Sequence, residues 1–98
     1  MNNDLFFMKR AYKQALLGFN KDEIPVGAVV VYKNEIISEA HNESIVNKDP
    51  TAHAEIVAIR KAALKIGNYR LTNAKMFVTL EPCLMCCGAL IHARFDKV

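Results

Sequence analysis

The side chains best suited to chemistry in this chain fall in two short groups, Thr51-Ala52-His53-Ala54-Glu55 and Glu81-Pro82-Cys83-Leu84-Met85-Cys86. Imidazole and thiolate are ligands that zinc favours. Three such ligands leave a fourth position open to water, the arrangement of a catalytic ion rather than a structural one. Taken alone, the Cys83-x-x-Cys86 pair fits three readings: a redox couple, half of a zinc ribbon, or chance. A redox couple belongs after the first strand of a thioredoxin-like unit, and this pair follows the third strand-like run. A ribbon needs a second cysteine pair, but the remaining cysteine is Cys87 alone.

Position strengthens the metal reading. Both groups follow a loop and open a helical pattern, so each is expected in the first turn of a helix. There the unsatisfied N–H groups and positive partial charge favour thiolate over thiol. Cys83 and Cys86 are three apart and share a helix face. His53 and Glu55 are two apart and do not, unless the metal lies beyond the helix end, where first-turn side chains converge. Glu55 is then a carboxylate beside the ion rather than a ligand to it. The plainer alternative is that Glu55 complements the helix dipole and His53 packs in the core; the two cysteines weigh against it. Zinc brings the pKa of a bound water down to about 7. A carboxylate within reach can accept that proton and pass it on.

The elements that must position these groups follow from periodicity. Leu5, Met8, Tyr12, Ala15, Leu16 and Phe19 recur at helical spacing, with Asn3 or Asp4 as cap, and predict an amphipathic first helix with those residues on its apolar face. Asp22 to Pro25 interrupts it. Residues 26–32 form a β-branched run expected to be a strand buried on both faces. Lys33-Asn34 turns the chain into a hairpin partner over 35–41, and 42–50 is a polar loop. Thr51 is expected to cap a second helix ending near Ile66, with Gly67-Asn68 as its stop. Residues 75–80 predict a third strand, and a third helix is expected from near Cys83 to about Ala93. Phe95-Asp96-Lys97-Val98 resembles the approach to a fourth strand. The strand–helix–strand–helix succession implies an α/β layer with parallel pairing and crossover helices.

Composition bounds the rest. Ninety-eight residues make one small domain, of modest surface burial, which a bound metal would stabilise. The 52% hydrophobic and 23% charged content is that of a globular chain. A net charge of +3 permits a polyanionic partner without requiring one. An odd number of cysteines, two of them adjacent, argues against a secreted disulfide framework. With no secretory leader pattern at the N-terminus and no apolar run long enough for a bilayer, a cytoplasmic location is expected.

His-x-Glu followed by Pro-Cys-x-x-Cys is itself the established signature of zinc-dependent nucleobase deaminases. The wider sequence resembles the bacterial tRNA adenosine deaminases, which convert the wobble adenosine of an anticodon to inosine. The likeness runs from the first helix to about Arg94. It rests on Ile24-Pro25-Val26-Gly27-Ala28-Val29-Val30-Val31, His41-Asn42, Pro50-Thr51-Ala52-His53-Ala54-Glu55, Asn68-Tyr69-Arg70-Leu71, and the stretch from Val78 through Cys86 with Gly88-Ala89-Leu90-Ile91-His92-Ala93-Arg94 after it. A histidine at position 53 separates the chain from free-cytidine deaminases, which usually place cysteine there.

The resemblance implies a three-layer cytidine deaminase-like α/β fold, a mixed five-stranded sheet flanked by helices and assembled as a homodimer. It implies one Zn2+ per chain on His53, Cys83 and Cys86, with Glu55 carrying protons. Asn42 would hydrogen-bond the flipped base, with Pro25, Val26 and the Ala54 backbone around it. Attack at C6 of adenine would release ammonia, and the partner would be a tRNA anticodon stem-loop. Members of that family continue through two further strands and C-terminal helices that supply tRNA contacts. Residues 1–98 are therefore expected to be a deaminase domain incomplete at its C-terminal side, with a sheet edge left open.

Of the remaining candidates, Cys87 is four from Cys83 and within helical reach of the metal, but it is read as a small buried residue. His41 and His92 are read as ordinary packed or surface histidines. Lys9, Arg10, Lys13, Lys61 and Lys65 are read as solvated helix faces; Arg70 and Arg94 are candidates for phosphate contact. Two rival functions stay open: a guanine or cytosine-nucleotide deaminase of the same zinc superfamily, and a catalytically inactive zinc-binding fragment.

Overall fold

The protein is described from a computed structural model covering residues 3–95. Helix α1 (Asp4–Asn20) leads into the hairpin of β1 (Gly27–Tyr32) and β2 (Glu35–His41). Helix α2 (Ala54–Ile66), strand β3 (Lys75–Val78) and helix α3 (Leu84–Ala93) follow. The hairpin turns as its sequence demands, because Lys33 and Asn34 both take positive φ, 52° and 65°, the conformation that matches strand twist in a two-residue turn. The residues proposed as a fourth-strand approach, 96–98, lie outside those described, and Phe95 is not in a strand.

The sheet order is β2-β1-β3, and β1 is antiparallel to both neighbours. The expected parallel pairing is therefore corrected. β2 and β3, joined through α2, do run in the same direction, but β1 lies between them. The crossover thus spans a strand instead of joining two adjacent ones, and each hydrogen-bonded pair among the described residues is antiparallel.

Alternate residues of β1 divide the core in two. Ala28 and Val30 pack with Val57, Ala58, Ala62, Leu71, Met76 and Leu90 under α2 and α3, while Val29 and Val31 pack with Phe7 and Ala11 of α1. This is a three-layer arrangement, α1 on one face of the sheet and α2 with α3 on the other, the α/β architecture expected from the sequence.

The inner face of α1 is not the expected stripe. Phe7, Ala11, Ala15 and Gly18 are buried, whereas Leu5, Tyr12, Leu16 and Phe19 are exposed and Met8 is partly so. The reason is a close approach. A Cβ on Gly27 would lie 1.9 Å from the Ala11 carbonyl oxygen and 2.6 Å from the Ala15 nitrogen, so helix and strand meet backbone to backbone. Only small side chains fit along that line, and the large apolar ones are displaced to the flanks. Arg10 is not simply solvated either: its Nε and Nη2 donate to Glu39 at 3.0 and 2.7 Å, and Gln14 Nε2 donates to the other oxygen at 3.1 Å. These bonds tie α1 to β2. No helix among the described residues is long and apolar enough to cross a membrane.

Candidate metal centre and base-sized cleft

The second helix begins later than its sequence suggests. Thr51 does not cap it, because Asp49 Oδ1 accepts both the Thr51 N–H at 2.9 Å and its hydroxyl at 2.7 Å, closing a local turn instead. His53 occupies the N-cap position in extended conformation. The first helical N–H, that of Ala54, donates to Asn42 Oδ1 at 2.7 Å, so a side chain from the end of β2 does the capping. Cys83 is likewise the N-cap residue of α3, and Cys86 lies in its first turn. His53 and Cys83 therefore stand one step before the helical turns in which they were expected, while Glu55 and Cys86 fall inside them.

The two helix starts meet. The sulfurs of Cys83 and Cys86 each lie 3.6 Å from His53 Nδ1, and the three donor atoms fall within 4.8 Å of one another. Zinc–sulfur and zinc–nitrogen bonds of roughly 2.3 and 2.0 Å at a tetrahedral angle place N and S about 3.5 Å apart. The separations thus suit a single zinc ion, and the donor set is the soft imidazole–thiolate type that zinc prefers. His53 is half-buried, Cys83 exposed and Cys86 fully buried.

The two thiols differ in acidity. The Cys86 backbone N–H directed at its sulfur holds Cys83 below the ordinary thiol value. Burial pushes Cys86 well above it, and the Glu55 carboxylate pushes it further in the same direction. Glu55 is itself 4% exposed and close enough to act on both sulfurs. A divalent cation between these groups would offset each of those penalties at once, because it favours thiolate and carboxylate together.

Beside the donor atoms opens a cleft of about 190 Å³ lined by Ile24, Val26, Asn42, His53, Glu55, Leu80, Glu81 and Cys83. It is smaller than the roughly 300–1,000 Å³ of drug-sized sites, a volume suited to one planar ring. Asn42 is buried and its Oδ1 is committed to Ala54, so the Nδ2 donors are what it has left for a ligand.

Of the residues singled out from the sequence, His53, Glu55, Cys83, Asn42 and Val26 converge on this cleft, with Cys86 behind them. Pro25 lines a neighbouring groove against α1 instead. Ala54 is buried, with its N–H already used by Asn42. Cys87 is exposed rather than buried, its thiol donating to the Pro82 carbonyl at 3.6 Å, and it stands outside the donor group. A helix that exposes Leu84, Met85 and Cys87 has room to bury only Cys86 in its first turn. His41 packs against Gly18 and donates from Nδ1 to the Asn42 carbonyl at 2.8 Å; His92 is exposed. Ile24, Leu80 and Glu81 also line the cleft; they fall within the motif stretches but have no role assigned from sequence, since they sit at element ends, where periodicity carries no signal.

Comparison with known proteins agrees with this geometry. The family model described as the cytidine and deoxycytidylate deaminase zinc-binding region matches residues 1–98. A tRNA-specific adenosine deaminase of Buchnera aphidicola subsp. Baizongia pistaciae is 50% identical over 97 residues, 99% of this chain and 60% of that protein. A chain solved in work on A-to-I editing by tRNA:A34 deaminases superposes with a TM-score of 0.94 at 40% identity, over 96% of this chain and 72% of its own. A structure described as a guanine deaminase of Bacillus subtilis also gives 0.94, at 43% identity over 100% of this chain and 62% of its own. The present chain spans roughly three fifths of the length of the curated relatives it matches.

Proposed function

Because the chain belongs to the cytidine and deoxycytidylate deaminase zinc-binding family, we propose that it carries the zinc and base-binding part of an enzyme converting adenosine to inosine at the wobble position of tRNA. The observation that carries the proposal is the meeting of His53, Cys83 and Cys86 beside a buried Glu55 and a ring-sized cleft. Zinc on His53, Cys83 and Cys86 would supply a water acidified to a pKa of about 7.

The rest of the chemistry falls to the chain itself. Ile24, Val26 and Leu80 offer an apolar lining against which a base taken out of its strand can stack; Val26 is its buried part. Asn42 Nδ2 donates to an acceptor on that base. Glu55 takes a proton from the attacking water and gives it to the ring nitrogen beside C6. A second proton passes through Glu55 to the amine, which leaves as ammonia, and the C6 oxygen remains as the carbonyl of inosine.

In this reading the protein works in the cytoplasm on an anticodon stem-loop, as a homodimer. Residues 1–98 are one domain that needs further chain beyond β3 to complete the sheet. The names of the relatives support the tRNA substrate, and their greater length and the position of β3 at a sheet edge support the further chain.

A second reading, guanine deamination, is favoured by the likeness to the Bacillus subtilis structure. The test is a zinc-loaded assay of ammonia release on an adenosine-containing anticodon stem-loop and on guanine, with Glu55→Gln alongside. The expected result is inosine from the stem-loop and a fall of about 10²–10⁴-fold in Glu55→Gln at unchanged zinc content. Xanthine from guanine without inosine establishes the second reading, and an undiminished Glu55→Gln overturns the role of Glu55 in both.

A further inference from the structure

Glu23 sits between α1 and β1, in a stretch that reads as a polar turn, yet it is 5% exposed. Neither of the ion pairs found among the described residues involves it. Its two carboxylate oxygens instead accept backbone N–H groups from a distant segment: Oε1 from Ile45 at 3.1 Å and Oε2 from Val46 at 2.8 Å. Those two N–H groups open a short helical turn, in which Asn47 N–H donates to Glu43 O, Lys48 N–H to Ile45 O and Asp49 N–H to Ser44 O. The leading N–H groups of such a turn have no partner within it. Glu23 caps them from another part of the chain.

Two donors need two acceptor oxygens. An ionised carboxylate supplies both, whereas the amide of glutamine supplies one oxygen and places a second donor against the remaining N–H. A buried carboxylate with no cation is costly unless its oxygens are satisfied, so this carboxylate and this turn depend on one another.

The position of the clamp gives it a consequence for the cleft. Glu23 immediately precedes Ile24 and is three residues before Val26, both of which line it. The captured turn begins one residue after Asn42, which lines it from the other side. Asn42 N–H already donates to Val26 O at 3.3 Å, so the two segments meet at the wall of the cleft, while Glu43 N–H donates to Ala52 O at 2.9 Å and closes the loop that contains the turn. Glu23 joins them at the outer end, where Ile45 and Val46 themselves are mostly exposed.

We propose that Glu23 is a positioning residue: by clamping the 43–49 turn to the segment before β1, it fixes the direction in which Asn42 presents its Nδ2 to the base. The proposal rests on the cleft being the base site. Its test therefore has one arm that needs no turnover. In the zinc-loaded protein, Glu23→Gln and Glu23→Ala are compared with wild type by amide hydrogen exchange at Ile45 and Val46. The Asn42 side-chain amide resonances, zinc content and KM against kcat on the anticodon stem-loop are measured alongside.

The expected result is faster exchange at both amides and shifted Asn42 resonances at constant zinc, with the alanine variant more affected than the glutamine one. KM should rise about tenfold, the scale of one lost hydrogen bond to a charged group, with a smaller change in kcat. Unchanged Asn42 resonances and KM in Glu23→Gln, even with a lowered melting temperature, overturn the proposal and leave Glu23 a structural residue only. If wild type fails to deaminate the stem-loop, the functional reading falls, while exchange at Ile45 and Val46 and the Asn42 resonances still decide the clamp. If Glu23→Ala does not fold, Glu23→Gln decides alone.

Discussion

The two helix starts that bear the candidate ligands are held in different ways. At α2, Ala54 and Glu55 are buried, the leading N–H is capped by Asn42, and the preceding loop is pinned by Asp49 and Glu23. Ala54, Val57, Ala58 and Ala62 anchor the helix to the sheet, and Ser38 Oγ donates to the Ala58 carbonyl at 2.8 Å. At α3, only the sulfur of Cys83 itself faces the first-turn N–H groups and no distant side chain among the described residues caps them; Cys83 is exposed, Leu84 is 90% exposed, and Cys86, Leu90 and Ala93 are the buried residues. The start of α2 is held by hydrogen bonds from distant side chains, whereas α3 is tied through its far end, where the Leu71 N–H donates to the Ala93 carbonyl at 2.6 Å. A metal shared by His53, Cys83 and Cys86 would therefore do unequal work, fastening the loosely held end to the firmly held one.

Removing the ion is the harshest trial of that asymmetry. Zinc at thiolate–imidazole sites carries apparent free energies of about 10–16 kcal/mol at neutral pH, comparable with the whole stability of a small domain, about 5–15 kcal/mol. Chelation, or Cys86→Ser in the presence of zinc, is expected to abolish deamination and to raise amide exchange across α3 by orders of magnitude, while exchange in α2 rises far less. Hydrogen exchange resolved by residue checks this. Equal loss of protection in both helices would show that the two helix starts are equally dependent on the metal.

Asn42 tests the firm half and separates its two tasks. Asn42→Ala deletes a helix cap, worth about 1 kcal/mol, and strands the buried Ala54 N–H, which adds about 1 kcal/mol or more. A loss of about 2 kcal/mol lowers the melting temperature of a domain this size by roughly 10 °C. Asn42→Asp keeps an acceptor oxygen for Ala54 at the positive end of α2 but has no Nδ2 donor. It is expected to melt close to wild type and yet lose turnover as fully as the alanine variant. Thermal melts set beside ammonia release distinguish capping from base contact. An aspartate variant as unstable as alanine would mean that Asn42 does not cap α2.

How much of this was visible beforehand depends on whether a feature is local. The hairpin partner strand over 35–41, its Lys33-Asn34 turn and the Gly67 stop, with φ 79°, were legible because strand alternation and left-handed backbone are written in neighbouring residues. The donor group was legible from its side-chain types and spacing. What failed was what depends on another segment. The buried face of α1 is decided by Gly27 of β1, which admits only small residues opposite it. The antiparallel sheet is decided by β1 lying inside the β2–α2–β3 crossover. Thr51 lost the cap to Asn42, twelve residues before the N–H it accepts, and Glu23 is unremarkable in sequence because its partners are backbone groups more than twenty residues away. Hydrogen bonds to distant backbone leave no periodic trace, so the firm half of the site was the less legible half.

The gentlest probe of the firm half is Asp49. Its carboxylate is drawn below the usual range chiefly by the Thr51 hydroxyl and N–H, with Arg60 adding a smaller attraction at 3.5 Å. A carboxyl group whose folded pKa is depressed contributes stability above its unfolded pKa, near 3.8, and loses that contribution as pH falls through the lower folded value. Asp49→Asn should therefore melt slightly below wild type at neutral pH, with the gap closing as the pH falls below about 4. Because Asp49 is solvent-accessible, screening keeps the effect small, smaller than that of Asn42→Ala. Melts of the two proteins across that pH range check the sign. A gap that persists unchanged into acid would mean that the Asp49–Thr51 turn holds the loop through shape rather than charge. In that case Glu23 would be the charged group that secures the loop before α2, and the loop would rest on that buried carboxylate alone.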